Sequence, residues 1–387
     1  MRCDGLSVRH WCCLLVAWCL LRPGSLAAPP AAAPPPVTTP AVVFALLADN
    51  RLLAMRADTG AVVASHALTP APTGTIFRFR FVGDHLLAPS RDGRTLYALA
   101  PSDPPGTDHL AVVDTASAGV RARYALPPGV AFSALAVGPV SGRLYLFGTP
   151  THATGVLVAV VDPRTGRVRA RWAVHRGDTG DWFVYQGAVA PDERALYLSY
   201  HGSDTTGIDR LVLTGRGLRP CPSANPPHVG CIWTHGGFAL YGPGLLATTG
   251  EGPIEEIDGA GRVARRFDPR LPGNHLTEFV LDARAGRLYV VGPCGYAGGM
   301  SVVTLATVRT RVLVPLSPPG QAPAFCGDRF ALGPRNLLAV GKTAATLPQL
   351  GLPGAVLLVD ARTGAVRRTV TTPAEPVDVC VVGQSRA

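Results

Sequence analysis

The stretch "VVDPRTGRVRARWAVH", Val160–His175, recurs in altered form elsewhere in the chain. Its echoes are "AMRADTGAVVASHAL" at Ala54–Leu68, "VVDTASAGVRARYAL" at Val112–Leu126 and "LVDARTGAVRRTV" at Leu358–Val370. Each copy has an apolar segment ending near Asp, then Thr-Gly or a relative, then a segment of Val, Arg and Ala. Period-two alternation on both sides of a turn predicts a β-hairpin. Its repetition predicts a repeat architecture.

The hairpin accounts for both its glycines and its arginines. Gly60, Gly166 and Gly364 stand where the turn needs a positive φ. In the second strand of the longest copy, alternation separates two faces. One face carries Val168, Ala170 and Trp172, and the other carries Arg167, Arg169 and Arg171. We therefore expect the basic stripe to be the solvated side of an outer strand.

A second recurring unit places Leu-Tyr after a turn, as in "SRDGRTLYALA", "GPVSGRLYLFG", "APDERALYLSY" and "DARAGRLYVVG". The four tyrosines in this register are Tyr97, Tyr145, Tyr197 and Tyr289. Weaker copies, "YGPGLLATTG" and "GPRNLLAVG", carry Leu in that place. An aromatic at one register of successive strands predicts packing between stacked sheets rather than a functional row.

Placed in order, the units form four-stranded antiparallel meanders A–B–C–D, repeated every ~40–50 residues as in propeller blades. Six full blades are expected to start near Thr75, Val130, Trp182, Gly230, His275 and Ala322. The segment that begins at Ala41 supplies strands B, C and D without A. "AEPVDVCVVG" at Ala374–Gly383 supplies an A without a blade. Joined, these two segments predict a seventh blade that closes the ring and hides the sheet edges.

Motifs such as "VVDPRTGRVRA" and "LVDARTGAVRR", preceded by "GRLYLFG", resemble the YVTN-type repeats of WD40-like seven-bladed β-propellers. The resemblance covers nearly the whole chain after the first 40 residues. "LVLTGRGLRP" and "EEIDGAGRVARRF" depart most from it. It implies an all-β, seven-bladed propeller but no particular activity, since this architecture carries binding, scaffolding and catalytic roles.

The first 40 residues have the pattern of an export signal and a tether. Basic residues precede the apolar run "WCCLLVAWCLL", and the small residues "SLAA" follow it. We expect a secretory signal peptide over 1–27, a Pro/Ala-rich linker over 28–40 and the propeller over 41–387. The alternative is an uncleaved membrane anchor. The expected location is secreted or extracytoplasmic, with no membrane span in the mature chain.

The distribution of basic residues argues against a nucleic-acid partner. The formal net charge is +10, but the arginines are scattered and Lys342 is the only lysine. No basic run is interleaved with aromatics, so we expect no nucleic-acid partner.

Five cysteines remain after the expected cleavage, and an exported protein favours disulfides. Cys221 and Cys231 flank the loop "CPSANPPHVGC", which a disulfide would clip. Cys294 and Cys326 fall in adjoining loops of neighbouring blades, so we expect an inter-blade disulfide there. Cys380 is then the odd thiol. The chain lacks CxxC-type pairs with histidines at zinc-ligand spacing, so we expect structural cysteines and no metal.

No catalytic signature is present. Quinone-cofactor propellers carry a docking tryptophan four residues after the turn glycine, where this chain has Ala64, Ala170 and Arg368. The haem signature C-x-x-C-H, the hydrolase elbow G-x-S-x-G and H-E-x-x-H are all absent. We therefore expect no cofactor and assign no catalytic residue. Lactonase-type propellers have no short signature and remain open.

Loops between strand D of one blade and strand A of the next gather around the channel of a propeller, and ligands bind on such loops. The ligand-binding candidates at this mouth are Arg78, Arg80, Tyr185, Gln186, Trp233, His235, His275, Glu278, Asp328, Arg329 and Asp378. Their charges could hold a polar ligand or a cation, or could simply pair with one another, which is the interpretation we favour. In the second blade, His85 could face the ring instead of Arg78.

The predicted function is binding. We expect a monomeric binding or scaffold module for a protein, glycan or small ligand at the loop face. The alternative is a propeller enzyme, such as a lactonase-like hydrolase, with its site at the channel mouth.

Overall fold

The computed structural model describes residues 41–69, 85–101, 107–152, 155–174, 183–201, 206–214, 217–220, 237–248, 253–268, 278–291, 299–315, 329–342 and 353–383. All of them lie in the compact unit that spans residues 39–387. Their 28 strands, numbered in chain order, form seven four-stranded antiparallel sheets. The expected all-β, seven-bladed propeller is confirmed.

Blade 1 contains β1 (Val42–Leu47), β2 (Arg51–Arg56), β3 (Val62–Ala67) and, as its innermost strand, β28 (Pro376–Val382). Blade 2 contains β4 (Leu87–Pro89), β5 (Thr95–Ala100), β6 (His109–Asp114) and β7 (Val120–Ala125). Blade 3 contains β8 (Val130–Val137), β9 (Leu144–Pro150), β10 (Leu157–Val161) and β11 (Val168–Ala173). Blade 4 contains β12 (Phe183–Val189), β13 (Ala195–His201), β14 (Thr206–Thr214) and β15 (Gly217–Pro220).

Blade 5 contains β16 (Phe238–Tyr241), β17 (Gly244–Thr248), β18 (Ile254–Ile257) and β19 (Val263–Phe267). Blade 6 contains β20 (Glu278–Asp282), β21 (Arg287–Val291), β22 (Gly299–Thr304) and β23 (Arg309–Pro315). Blade 7 contains β24 (Arg329–Gly333), β25 (Leu337–Lys342), β26 (Gly354–Asp360) and β27 (Val366–Thr372), with a short 3-10 helix at Pro334–Asn336. Within the described residues, no helix has the length and hydropathy to cross a bilayer.

Blade 1 closes the ring as the two chain ends predicted. Strand β28 pairs antiparallel with β1, from Val42 opposite Val382 to Leu46 opposite Asp378. Because β28 completes a sheet that the N-terminal strands begin, the last strand cannot leave the ring without breaking a ladder of backbone hydrogen bonds.

The recurring hairpin is held by its aspartate. In blade 7, Asp360 Oδ1 accepts hydrogen bonds from the N–H groups of Arg362 and Thr363 (2.9 and 3.0 Å), which fixes the turn. Its other oxygen pairs with Arg367 of the returning strand. Blades 2 and 3 repeat the ion pair with Asp114–Arg121 and Asp162–Arg169. The arginine stripe is solvated as expected, and one arginine in each of these three hairpins also pairs with the turn aspartate.

The turn glycines and the tyrosine row behave as predicted. Gly60, Gly166 and Gly364 have φ values of 73°, 68° and 80°. All four Leu-Tyr tyrosines are buried. Tyr145 of blade 3, for example, packs in a cluster with Val184 and Leu196 of blade 4. The row therefore seals blade against blade.

The innermost strand of blade 2 is short. The strand that pairs with β5 is the three-residue β4, whereas the sequence pattern suggested a blade starting near Thr75. The alternation in "TIFRFRFVG" produced that expectation, and Thr75 itself lies outside the described residues. The consequence for the site is that His85 lies two residues before the innermost strand of this blade.

Candidate functional site

Three innermost strands carry an extra residue at the same level of the ring. The pairing shifts by one residue at Val377 in β28, at Ser133 in β8 and at Tyr185 in β12. A bulge of this kind bends a strand and redirects the next side chain. Asp378 and Gln186 directly follow two of these bulges, and both are buried, with 3% and 7% of their surface exposed.

Gln186 joins blade 4 to blade 5. Its Nε2 donates to the carbonyl of Phe238 (2.8 Å), and its Oε1 accepts from the Phe238 N–H (3.0 Å). The same Nε2 lies 2.9 Å from Nε2 of His85 across the channel. The amide of Gln186 thus replaces the ladder partner that the backbone at the start of β16 would otherwise lack.

Asp378 joins blade 1 to blade 2 in the corresponding way. Its Oδ2 accepts from the Leu87 N–H at the start of β4 (2.7 Å), and its Oδ1 accepts from the Val379 N–H (2.7 Å). Burial raises the pKa of this carboxyl to about 7, while the nearby Arg329 guanidinium and the backbone donors oppose the rise. Arg329, the first residue of β24, is itself 3% exposed.

His85 lies near Gln186 and Arg329, and we call these three side chains, together with Asp378, the polar ring. Because Gln186 uses Nε2 as a donor toward Phe238, its second amide hydrogen is directed to His85, whose Nε2 then accepts. Such a histidine is neutral, with its proton on Nδ1. Burial, and next the charge of Arg329, lower the pKa of His85 to about 4, which agrees with that assignment.

A cavity of about 400 Å³ lies at the carboxyl ends of four successive innermost strands, β4, β8, β12 and β16. Its walls are aliphatic side chains, prolines and one glycine, and His85 is the one polar side chain among them. The aliphatic lining residues are Leu87, Ala88, Leu135, Ala136, Val137, Ala188, Val189 and Leu240. An apolar cavity of this size with a single directional polar group is typical of a small-molecule site.

The structure brings three predicted candidates together in the ring, namely Gln186, Arg329 and Asp378. Tyr185 and Glu278 lie in β12 and β20, but their side chains are outside the described residues. The remaining candidates, also outside the described residues, are Arg78, Arg80, Trp233, His235, His275 and Asp328, together with Cys221, Cys231, Cys294 and Cys326. For these the sequence-based assignments stay predictions.

Two ring residues carried no usable signal in the sequence. Ser133 donates from its hydroxyl to the Val184 carbonyl (2.8 Å) and so links blade 3 to blade 4. Asp108 accepts from the Phe132 N–H (2.7 Å) and links blade 2 to blade 3. Each partner lies in the next blade, and only the closed ring makes such neighbours identifiable.

The arrangement is suited to holding the ring and lining a cavity. A hydrolytic carboxylate has to reach a substrate, whereas Asp378 is buried and bonded to backbone donors on both oxygens. Within the described residues, no three His, Cys, Asp or Glu side chains are grouped closely enough to hold a metal ion.

Several solved structures of other proteins resemble this chain in fold. No protein-family model matches the sequence, and no curated protein matches it. Among solved structures, the periplasmic gluconolactonase PpgL of Pseudomonas aeruginosa superposes with a TM-score of 0.55 at 16% identity, covering 90% of this chain and 100% of that one. Apo AztD of Citrobacter koseri gives 0.53 at 15% identity with the same coverage. Hydrazine synthase of Kuenenia stuttgartiensis gives 0.52 at 19% identity, covering 77% and 89%.

Proposed function

We propose that this chain is an exported binding propeller of the YVTN-type, WD40-like class, and that its channel cavity takes a small, largely apolar ligand with a hydrogen-bond acceptor. The observation that carries the proposal is the lining of the 400 Å³ cavity, in which His85 is the one polar side chain. A neutral imidazole that accepts from Gln186 through Nε2 keeps its Nδ1–H as a donor for a carbonyl or hydroxyl oxygen.

The chemistry of the ring supports binding over catalysis. Gln186 and Asp378 were candidates for contact with a ligand, but both are engaged with the backbone of the next blade. The cavity lies at the carboxyl ends of the innermost strands, opposite the loop face where the sequence suggested a site. A half-buried neutral histidine and aliphatic walls disfavour a charged ligand, because an ion would lose its hydration without gaining a partner.

Export is supported by the sequence of the first 40 residues, with a signal peptide over 1–27 and a linker over 28–40. Mass spectrometry of the chain recovered from the growth medium or envelope of an expressing bacterium tests this part. A mature N-terminus near Ala28 supports export, and an intact N-terminus in the cytoplasm contradicts it.

Saturation-transfer NMR on the chain from residue 28 tests the cavity directly. The probes are cyclohexanone, δ-valerolactone and cyclohexane, which share a ring size but differ in their acceptor oxygen. We expect signal transfer to the ketone and the lactone. Ala188→Leu fills the cavity wall and should abolish it, whereas Ala173→Leu, the same change at an exposed position of β11, should not.

The role of His85 is tested by His85→Phe, which keeps a ring of similar size. Loss of one hydrogen bond should weaken the binding of cyclohexanone by about 2- to 10-fold and leave any binding of cyclohexane unchanged. Absence of transfer to every probe, or transfer insensitive to Ala188→Leu, contradicts a channel site. Steady hydrolysis of the lactone by wild type would favour the lactonase-like alternative instead.

A further inference from the structure

A second cavity, of about 950 Å³, lies between blades 3 and 4 and is separate from the channel. We call it the blade 3–4 groove. It is formed by two turns of blade 3, at 141–143 and 162–164, by strand β11, and by Glu193, Leu213, Thr214 and Gly217 of blade 4. Its lining combines two aromatic side chains, Tyr145 and Trp172, with the side chains of several arginines.

The two acidic side chains of this groove, Glu193 and Asp162, already accept hydrogen bonds from groups of the protein. Glu193 Oε1 accepts from the N–H groups of Val140 and Ser141, both at 2.7 Å. Asp162 accepts from the Arg164 N–H (2.9 Å) through Oδ1 and pairs with Arg169 through Oδ2. Both oxygens of Asp162 and Oε1 of Glu193 therefore already accept hydrogen bonds from groups of the protein.

Two donors of the groove, the side chains of Arg164 and Trp172, are available. The backbone of Arg164 is engaged on both sides, since its N–H reaches Asp162 and its carbonyl accepts from the Tyr124 hydroxyl. Its guanidinium is exposed and forms no hydrogen bond within the described part of the chain. The indole N–H of Trp172 likewise has no acceptor among the described residues. The groove therefore has an excess of donors and of positive charge.

Gly217 lies beside the indole nitrogen of Trp172. It has φ +141°, and a Cβ built on it would lie 2.7 Å from Nε1 of Trp172. Any side chain at this position would press on the indole at its only polar atom. The space beside the ring thus depends on a glycine that opens β15.

We infer that the blade 3–4 groove binds an acidic sugar of the uronate class. A guanidinium supplies paired donors for a carboxylate. An indole offers a flat apolar face together with an N–H donor, which suits a sugar ring that carries both C–H and hydroxyl groups. A ligand with a carboxylate and many hydroxyl acceptors matches what the groove offers, and a cation does not. This inference is independent of the channel ligand.

Calorimetric titration of the chain from residue 28 tests the inference, with glucuronate as the probe and glucose as its neutral counterpart. We expect glucuronate to bind and glucose to bind at least 10-fold more weakly. Arg164→Gln should lower the affinity for glucuronate about 10-fold or more, which is the usual effect of losing a hydrogen bond between charged groups. Arg362→Gln is the matched control, because Arg362 has the same place after the turn aspartate of blade 7.

Trp172→Phe keeps an aromatic ring but removes the indole N–H donor, and it should lower the affinity for glucuronate about 2- to 5-fold. Circular dichroism should show that this variant retains the fold. Equal binding of inorganic phosphate and glucuronate would overturn the inference, because it would indicate a site for any anion. Equal effects of Arg164→Gln and Arg362→Gln would overturn it as well, as would equal binding of glucose.

Discussion

The side-chain amide of Gln186 satisfies both backbone groups of Phe238, at 2.8 and 3.0 Å, across the boundary between blades 4 and 5. Phe238 opens β16, and its side chain is buried beside Tyr197 of blade 4, with the ring centroids 6.3 Å apart. One polar side chain and one aromatic contact thus join these blades at the channel and deeper in the sheet. Asp378, Ser133 and Asp108 make comparable links between blades 1 and 2, 3 and 4, and 2 and 3, respectively.

Gln186→Ala should destabilise the fold. It leaves a buried N–H and a buried carbonyl of Phe238 without partners, which costs ~1–3 kcal/mol of unfolding free energy per group. We expect a total loss of about 3 kcal/mol in urea-induced unfolding. Gln186→Glu should recover little, because a carboxylate cannot donate to the Phe238 carbonyl. A loss below about 0.5 kcal/mol for the alanine variant would show that water replaces the amide.

Asp378 should make stability depend on pH near neutrality. Its folded-state pKa of about 7 lies above the ordinary value of 3.8, because the carboxyl is buried. The folded state therefore holds this proton more tightly than the unfolded state. The stabilisation from Asp378 is fully present at a pH below the unfolded-state pKa of 3.8 and is lost as the pH rises through the folded-state pKa of about 7.

His85 acts in the opposite direction, so a variant is needed to isolate Asp378. The pKa of His85, lowered to about 4 by burial and by Arg329, gives a contribution that is present above 6.5 and lost as the pH falls through about 4. We therefore compare wild type with Asp378→Asn, in which His85 and Arg329 are unchanged. Between pH 6 and pH 8 the stability difference, wild type minus variant, should fall by about 1.4 kcal/mol. A difference that is flat over this interval would contradict the raised pKa.

Gly166 should tolerate alanine less well than Gly142. The two glycines have φ values of 68° and 67°, so alanine pays the same backbone strain of about 1 kcal/mol at each. A Cβ at Gly166 would lie 2.3 Å from the Tyr124 ring, whereas nothing lies within 4 Å at Gly142. In thermal unfolding, Gly166→Ala should therefore lose about 1–3 kcal/mol more unfolding free energy than Gly142→Ala. Equal losses would mean that Tyr124 moves aside freely.

Cys380 should be unreactive in the folded protein. It is a buried free thiol in β28, and burial, followed by the charge of Asp378, raises the pKa of its thiol. Because the thiolate is the reactive form, iodoacetamide should label Cys380 only after denaturation. Peptide mapping of the native and unfolded chain measures this. Rapid native labelling at Cys380 would contradict its buried position. The same maps test the disulfides predicted for Cys221–Cys231 and Cys294–Cys326.

Sequence patterns were sufficient for the architecture because the blade is a local structure. Period-two alternation, a turn glycine and a turn aspartate all act within one hairpin, as in Asp360–Arg367. The ring closure was also predictable, since the segment that forms β1–β3 and the segment that forms β28 are each an incomplete blade in the sequence. The innermost strand of blade 2 is only three residues long, too short to show a period, and the expected start of this blade near Thr75 lies outside the described residues.

The candidate site was only partly predictable for the opposite reason. Gln186, Arg329 and Asp378 could be assigned to the innermost strands, but nothing in the sequence indicates that Gln186 meets Phe238 or that Asp378 meets Leu87, 291 positions away. A one-residue bulge decides where each of these side chains points, and bulges leave no mark in the hydrophobic pattern. The sequence by itself determined the hairpins, the number of blades and their closure, which depend on local backbone preferences and the burial of one strand face. Only the tertiary structure decided which polar groups join the blades, where the channel cavity opens and which groove exposes Arg164 and Trp172, because these features arise between blades that are distant along the chain.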